Sequence, residues 1–253
     1  VDSIFEGVAL RTIQAVYRRS LGPARRRFER AVRACGATQR ARLARLVKEN
    51  RDTAYGRAHG FASITSPRSW QDRVPVVGYD ELEPWVARAA AGQAHVLTAQ
   101  PIRLFERTSG STAANKLIPY TDDLLAEFSA ATDPWLHDLY TSLPGLAGTT
   151  GYWSISPATR GRERTAGGHP IGFADDTEYF GPFARFALRR MLAVPPEVAR
   201  LPDMESWSAA TIAHLAAAEN LGLISVWHPS FFLLLLRRIE TDLDRILARL
   251  SPR

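Results

Sequence analysis

The sequence predicts an α/β chain with a helical, basic N-terminal region. Short β-branched or aromatic runs alternate with longer stretches of helical period, the pattern of strands joined by helices. The first fifty residues show only helical spacing, with arginines between the apolar positions. With 45% hydrophobic residues in 253, the chain has enough apolar surface for a large core, which argues against disorder.

In chain order, residues 3–20 and 24–50 are expected to be helices, punctuated by Gly22–Pro23 and Gly36. Leu43, Leu46 and Val47 fall at i, i+3 and i+4. Residues 52–61, with Tyr55–Gly56 and Gly60–Phe61, read as a loop, and Pro75 confines Val74–Val77 to an extended edge. A helix is expected over 79–91. A strand over 102–105 leads into the polar segment 108–115, and 117–120 is extended again. Thr121 caps a helix over 122–140. A strand over 152–155 precedes a glycine-bearing loop over 160–172. Asp203 caps a helix running to Asn220, 223–227 is a strand, and Pro229 opens a helix to about Leu250. Residues 1–60 are taken as the basic helical region and 61–253 as the body of the fold. The two later helices are expected to pack beside the strand near 223–227.

Charge and composition exclude several classes. The net charge of +6 is uneven, since residues 11–57 hold fourteen Lys/Arg against three Asp/Glu. No aromatic stacking set or nucleic-acid motif accompanies this excess, so a solvated helix face is the simpler reading, and no nucleic-acid partner is expected. No apolar run reaches the roughly 20 residues a bilayer needs, and Val1–Leu10 lacks the pattern of a secretory signal, so no membrane association is expected. Cys35 stands alone, so no internal disulfide can form, which suits a reducing cytoplasm. The six histidines show no metal-site spacing, and neither a G-x-S-x-G elbow nor a Walker A pattern occurs.

What is present is Thr108-Ser109-Gly110-Ser111-Thr112-Ala113-Ala114-Asn115-Lys116. Gly110 permits inward-turned backbone amides, the four hydroxyls add donors, and Lys116 adds a cation; a phosphate chain needs all three. The competing reading is a polar turn. The chain has thirty Arg and two Lys, Lys48 and Lys116, so a retained lysine suggests a need for a compact point charge. A second segment, Thr165-Ala166-Gly167-Gly168-His169-Pro170-Ile171-Gly172, could approach a ligand closely or form a surface turn. Asp175-Asp176-Thr177-Glu178 is better read as a solvated turn than as a metal site. Tyr152, Trp153, Trp207, Trp227, Phe231 and Phe232 could line an aromatic acid pocket but are more simply core residues. His169 and His228 show no partner that would make either a general base.

Five segments in order carry a resemblance: Asp52–Arg57, Val74–Tyr79, Thr108–Thr121, Thr165–Gly168 and Ile224–Phe231. Together they are similar to the auxin-responsive acyl-acid amido synthetase family of adenylate-forming enzymes, bacterial members most of all. The resemblance implies that this α/β chain is the first part of the large N-terminal domain of such a ligase. It implies ATP-dependent activation of a carboxylic acid, with Mg2+, to an acyl-adenylate, then amide formation with an amino acid. On that basis Thr108, Ser109, Gly110, Ser111, Thr112 and Lys116 would bind ATP phosphates, with Lys116 acting in catalysis. Ile171 and Gly172 would lie near the acyl acid. Two departures stand out. Plant members carry an arginine facing the acid on the helix after the loop, whereas 122–140 has no Arg or Lys. The family is also about twice as long, so the motif for adenosine and magnesium has no match, and the stretch by itself is expected to be inactive. A coenzyme A ligase and a non-catalytic nucleotide-binding remnant are the alternatives.

Overall fold

The computed structural model describes residues 2–107, 116–153, 163–172, 182–226 and 229–250. Helix α1 (Asp2–Arg33) runs straight through Pro23, where a break was expected. An interior proline costs about 3 kcal/mol. Tyr17, Leu21 and Ala24 are buried around it. At about 1.5–3 kcal/mol for each large apolar side chain, their burial offsets that cost. The break falls at Ala34, outside helical geometry, before α2 (Cys35–Asn50).

The expected loop over 52–61 contains the short helix α3 (Ala54–Ala58). Buried Thr53 caps it, accepting the Gly56 N–H at 2.9 Å and donating to the Asn50 carbonyl at 2.8 Å. Ala54 and Tyr55 donate their N–H groups to the carbonyls of His95 and Val96. These long-range bonds fix a turn that local chemistry alone leaves open. Helix α4 (Pro67–Arg73) follows a Ser66/Ser69 capping box with Pro67 in the first turn. Val74 and Gly78 have extended backbone, 74–78 pair with no strand among the described residues, and α5 (Tyr79–Ala90) begins after Gly78.

Strands β1 (Leu104–Arg107) and β2 (Leu117–Tyr120) pair antiparallel, from Leu104 opposite Tyr120 to Arg107 opposite Leu117. Thr121 then caps α6 (Asp122–Ser142), accepting the Leu124 N–H at 3.3 Å. Strand β3 (Thr150–Trp153) is followed by α7 (Pro182–Met191), α8 (Met204–Ala217), β4 (Leu221–Ser225) and α9 (Pro229–Leu250). β3 and β4 are parallel neighbours, joined by the long crossover that such a pair requires. β1 and β4 each lie two residues from their expected positions.

The chain divides into two compact units. One comprises Val1–Arg25, Ala131–Gly161 and Ala174–Arg253. Its core is Tyr152, Val194, Val198, Trp207, Ile212 and Leu235, with Leu221, Val226, Phe231 and Ile239 packed against them. The two later helices therefore do pack beside β4, as expected, and Tyr152, Trp207 and Phe231 are core residues. The other unit comprises Arg26–Ala130 and Arg162–Phe173. It holds one core of Val86, Ala89, Ala90, Val96 and Phe105, and another of Val47, Phe61 and Ile64.

Candidate functional site

The β1–β2 pair sets the geometry of the candidate site. Its antiparallel register brings Arg107 opposite Leu117, so the two ends of the intervening segment are neighbours. Thr108, Ser109, Gly110, Ser111 and Thr112 lie outside the described residues. Lys116 is described, half-buried, immediately before β2. Its Nζ sits over the Tyr79 ring, 5.4 Å from the centroid, within cation–π range. The Tyr79 hydroxyl accepts the Leu117 N–H at 2.8 Å and donates to the Leu117 carbonyl at 3.3 Å. Among the described residues no carboxylate forms an ion pair with Lys116.

The other end of the segment is held differently. Arg107 forms an ion pair with Glu163. The Glu163 carbonyl accepts the Ile171 N–H at 2.9 Å. The stretch 163–172 then lies along β1. Phe105 donates its N–H to the Pro170 carbonyl at 2.9 Å, and the Gly172 N–H donates to the Phe105 carbonyl at 2.8 Å. Ile171 thus sits beside Phe105 as a parallel bridge, and its side chain packs against the Phe105 core. Two sequence segments some fifty residues apart, one ending at Lys116 and the other at Gly172, meet on one short strand pair.

The paired glycines have a structural use. Gly167 donates its N–H to the Ala90 carbonyl at 2.8 Å, and a Cβ there would lie 2.6 Å from the Ala91 carbonyl carbon. Its close approach is to the end of α5. Gly168 adopts φ 85°, closing a turn in which the Thr165 N–H donates to the His169 carbonyl. The His169 ring stands edge-on to Phe105 at 5.7 Å, as a packing group. Asp175–Glu178, Trp227 and His228 lie outside the described residues. Among the described residues no group of three or more His, Cys, Asp and Glu side chains is placed to hold a metal ion, and no helix is long and apolar enough to cross a membrane.

Residues 24–251 match the family model described as the GH3 family N-terminal domain. The chain belongs to the GH3 family. It is 40% identical over 100 residues to the probable indole-3-acetic acid-amido synthetase GH3.12 of Oryza sativa subsp. japonica, covering 39% of this chain and 16% of that relative. It is 31% identical over 100 residues to the jasmonoyl–L-amino acid synthetase JAR6 of Nicotiana attenuata, covering 39% of this chain and 17% of that protein. The solved AtGH3.15 acyl acid amido synthetase in complex with 2,4-DB shares the fold with a TM-score of 0.65 at 20% identity, over 81% of this chain and 36% of that one. The chain thus spans about a third of the solved GH3 structure.

Sequence reasoning gave no role to Tyr79, Arg107 or Glu163. Tyr79 carried a signal, because it closes the Val74–Tyr79 segment of the resemblance. Arg107 and Glu163 carried none, because an ion pair between residues so far apart in sequence depends on the pairing of 163–172 with β1.

Proposed function

We propose that this GH3 chain supplies the phosphate-binding part of an acyl-acid amido synthetase. The reaction activates a carboxylic acid with ATP to an acyl-adenylate, and an amino acid amine then attacks to give the amide. The observation that carries the proposal is the setting of Lys116. It ends the hydroxyl-rich segment, stands over the Tyr79 ring, and has no ion-pairing carboxylate among the described residues. In this reading Thr108, Ser109, Gly110, Ser111 and Thr112 bind the β- and γ-phosphates with Lys116. Ile171 and Gly172, bonded alongside β1, lie near the acyl acid in this reading. Mg2+ accompanies ATP in this reading, and no residue is assigned to it. A cytoplasmic setting accords with the single cysteine, Cys35, which is free and exposed.

Attack of the carboxylate on the α-phosphate expels pyrophosphate, so negative charge builds on the departing phosphates. A fixed cation there stabilises the transition state more than the ground state. The test is acid-dependent pyrophosphate exchange by the full-length protein. Lys116→Ala is expected to slow exchange about a hundred- to thousandfold, or about 3–4 kcal/mol, with an unchanged melting curve. Lys116→Arg is expected to rescue only part, because a planar fork is not a point charge. Near-normal exchange by a folded alanine variant would remove this segment from the ATP site. Product analysis with amino acids and with coenzyme A then separates the amide-forming ligase from a thioester-forming one.

A further inference from the structure

We infer that Tyr79 is the positioning residue for Lys116: it fixes where the ammonium stands without neutralising it. The inference rests on the reading of segment 108–116 as the phosphate-binding loop. One hydroxyl grips both backbone groups of Leu117, at 2.8 Å and 3.3 Å. Those two bonds fix the residue that follows Lys116, and so the direction in which the lysine leaves the strand. The ring then meets Nζ at 5.4 Å. Tyr79 is itself well placed for this work. It is the first residue of α5 and packs against the core that contains Phe105, the residue whose backbone holds 170–172.

The choice of a ring over a carboxylate has a chemical consequence. A carboxylate at this distance would pair with the ammonium, occupy its N–H donors and cancel most of its field. An aromatic face attracts the cation through its quadrupole and accepts no formal charge transfer. The three N–H donors of Lys116 stay available, and its full charge is presented to whatever lies beyond the strand ends. Tyr79 touches no reacting atom in this scheme and acts only through Lys116.

The full-length protein labelled with ¹³C at lysine Cε provides a readout independent of activity. The signal that vanishes in Lys116→Arg belongs to Lys116. It is expected upfield in the wild type, under the Tyr79 ring current, to stay there in Tyr79→Phe, and to move to the free-lysine position in Tyr79→Leu. In pyrophosphate exchange, Tyr79→Phe loses the two backbone bonds and should slow turnover roughly two- to tenfold. Tyr79→Leu loses the ring as well and should slow it about ten- to a hundredfold, chiefly in kcat, with a smaller change in KM for ATP. Lys116→Ala made on top of Tyr79→Leu should then cost much less than in the wild type, because the two act as a unit. Full additivity of the two changes, or a Lys116 signal that ignores Tyr79→Leu, overturns the positioning role. If Lys116→Ala alone leaves exchange intact, the phosphate reading falls and the positioning role falls with it, while the lysine signal still reports whether the contact exists. If Tyr79→Leu does not fold, Tyr79→Phe combined with Lys116→Ala gives the same coupling test on the hydroxyl.

Discussion

β1 and β2 run antiparallel and return on themselves after nine residues, whereas β3 and β4 run parallel and are joined by a crossover that includes two helices. Both pairs are short, and their surroundings differ. The antiparallel pair brings both ends of a polar segment to one place, where Tyr79 holds Lys116 and Glu163 holds Arg107. The parallel pair carries Tyr152 into an apolar core with Trp207, Val194 and Leu235. The difference follows from connectivity. A hairpin can leave a polar segment between its strands, while parallel strands need a crossover, and here the crossover helix α8 shares one core with Tyr152 of β3. Substitutions in the polar segment between the first pair should therefore alter chemistry, and those in the core around Tyr152 should alter stability.

The largest effect is expected at the second pair. Trp207 is 2% exposed and packs on Phe231 with ring centroids 5.3 Å apart. Trp207→Ala should cost about 3–5 kcal/mol, read as a fall in the urea midpoint at constant slope. The lower end is favoured, because the Trp207 indole N–H is buried without a hydrogen-bond partner among the described residues, and its removal leaves no donor behind. A loss below about 1 kcal/mol would mean that this core is not centred on Trp207. At the first pair, Lys116→Ala should show the reverse profile. Exchange should fall about a hundredfold or more, while stability stays within about 0.5 kcal/mol of wild type. A Lys116→Ala protein that loses both in proportion would erase the contrast between the two regions.

Gly167 tests whether the second ligand-like segment belongs with the first pair as a structural brace. An alanine Cβ would meet the backbone at Ala91 and Gly92, which cannot move aside as a flexible side chain could. Gly167→Ala should cost about 1–3 kcal/mol and push 163–172 away from α5. Because Ile171 and Gly172 are bonded to β1, exchange should fall with stability. Unchanged stability would free this glycine for the ligand contact that composition alone suggested.

Capping chemistry and apolar period made much of the fold legible. Thr121 and Asp203 start their helices as read, and β2 matches its expected span, because these signals lie within a few residues of what they determine. The continuous α1 was not legible, since Pro23 is tolerated only because of the burial around it. α3 was missed because its first amides are bonded to His95 and Val96, some forty residues away. α4 was missed although Ser66, Pro67 and Ser69 spell its start. At the site, residue types announced the segment ending at Lys116. The groups that hold it, Tyr79 and the Arg107–Glu163 pair, come together only through strand pairing.

The smallest expected effect lies on the exposed start of α8. Asp203 accepts the Ser206 N–H at 2.7 Å and the Ser206 hydroxyl at 2.9 Å. The backbone bond, then the hydroxyl bond, hold its carboxyl below the usual Asp range. A carboxyl that is more acidic in the folded state stabilises fully above its unfolded pKa, and that contribution is lost as pH falls through the folded value. Asp203→Ala should therefore lower the melting temperature at neutral pH and converge on wild type in strong acid. Asp203→Asn keeps a capping oxygen without the charge, so its difference from wild type should be smaller at neutral pH and should also shrink as acid removes the wild-type charge. Comparing the three proteins at each pH cancels the acid response of every other carboxylate. An Asp203→Ala deficit that stays constant from neutrality into strong acid would mean that the cap works through its hydrogen-bond geometry alone, with the charge at the helix start contributing nothing.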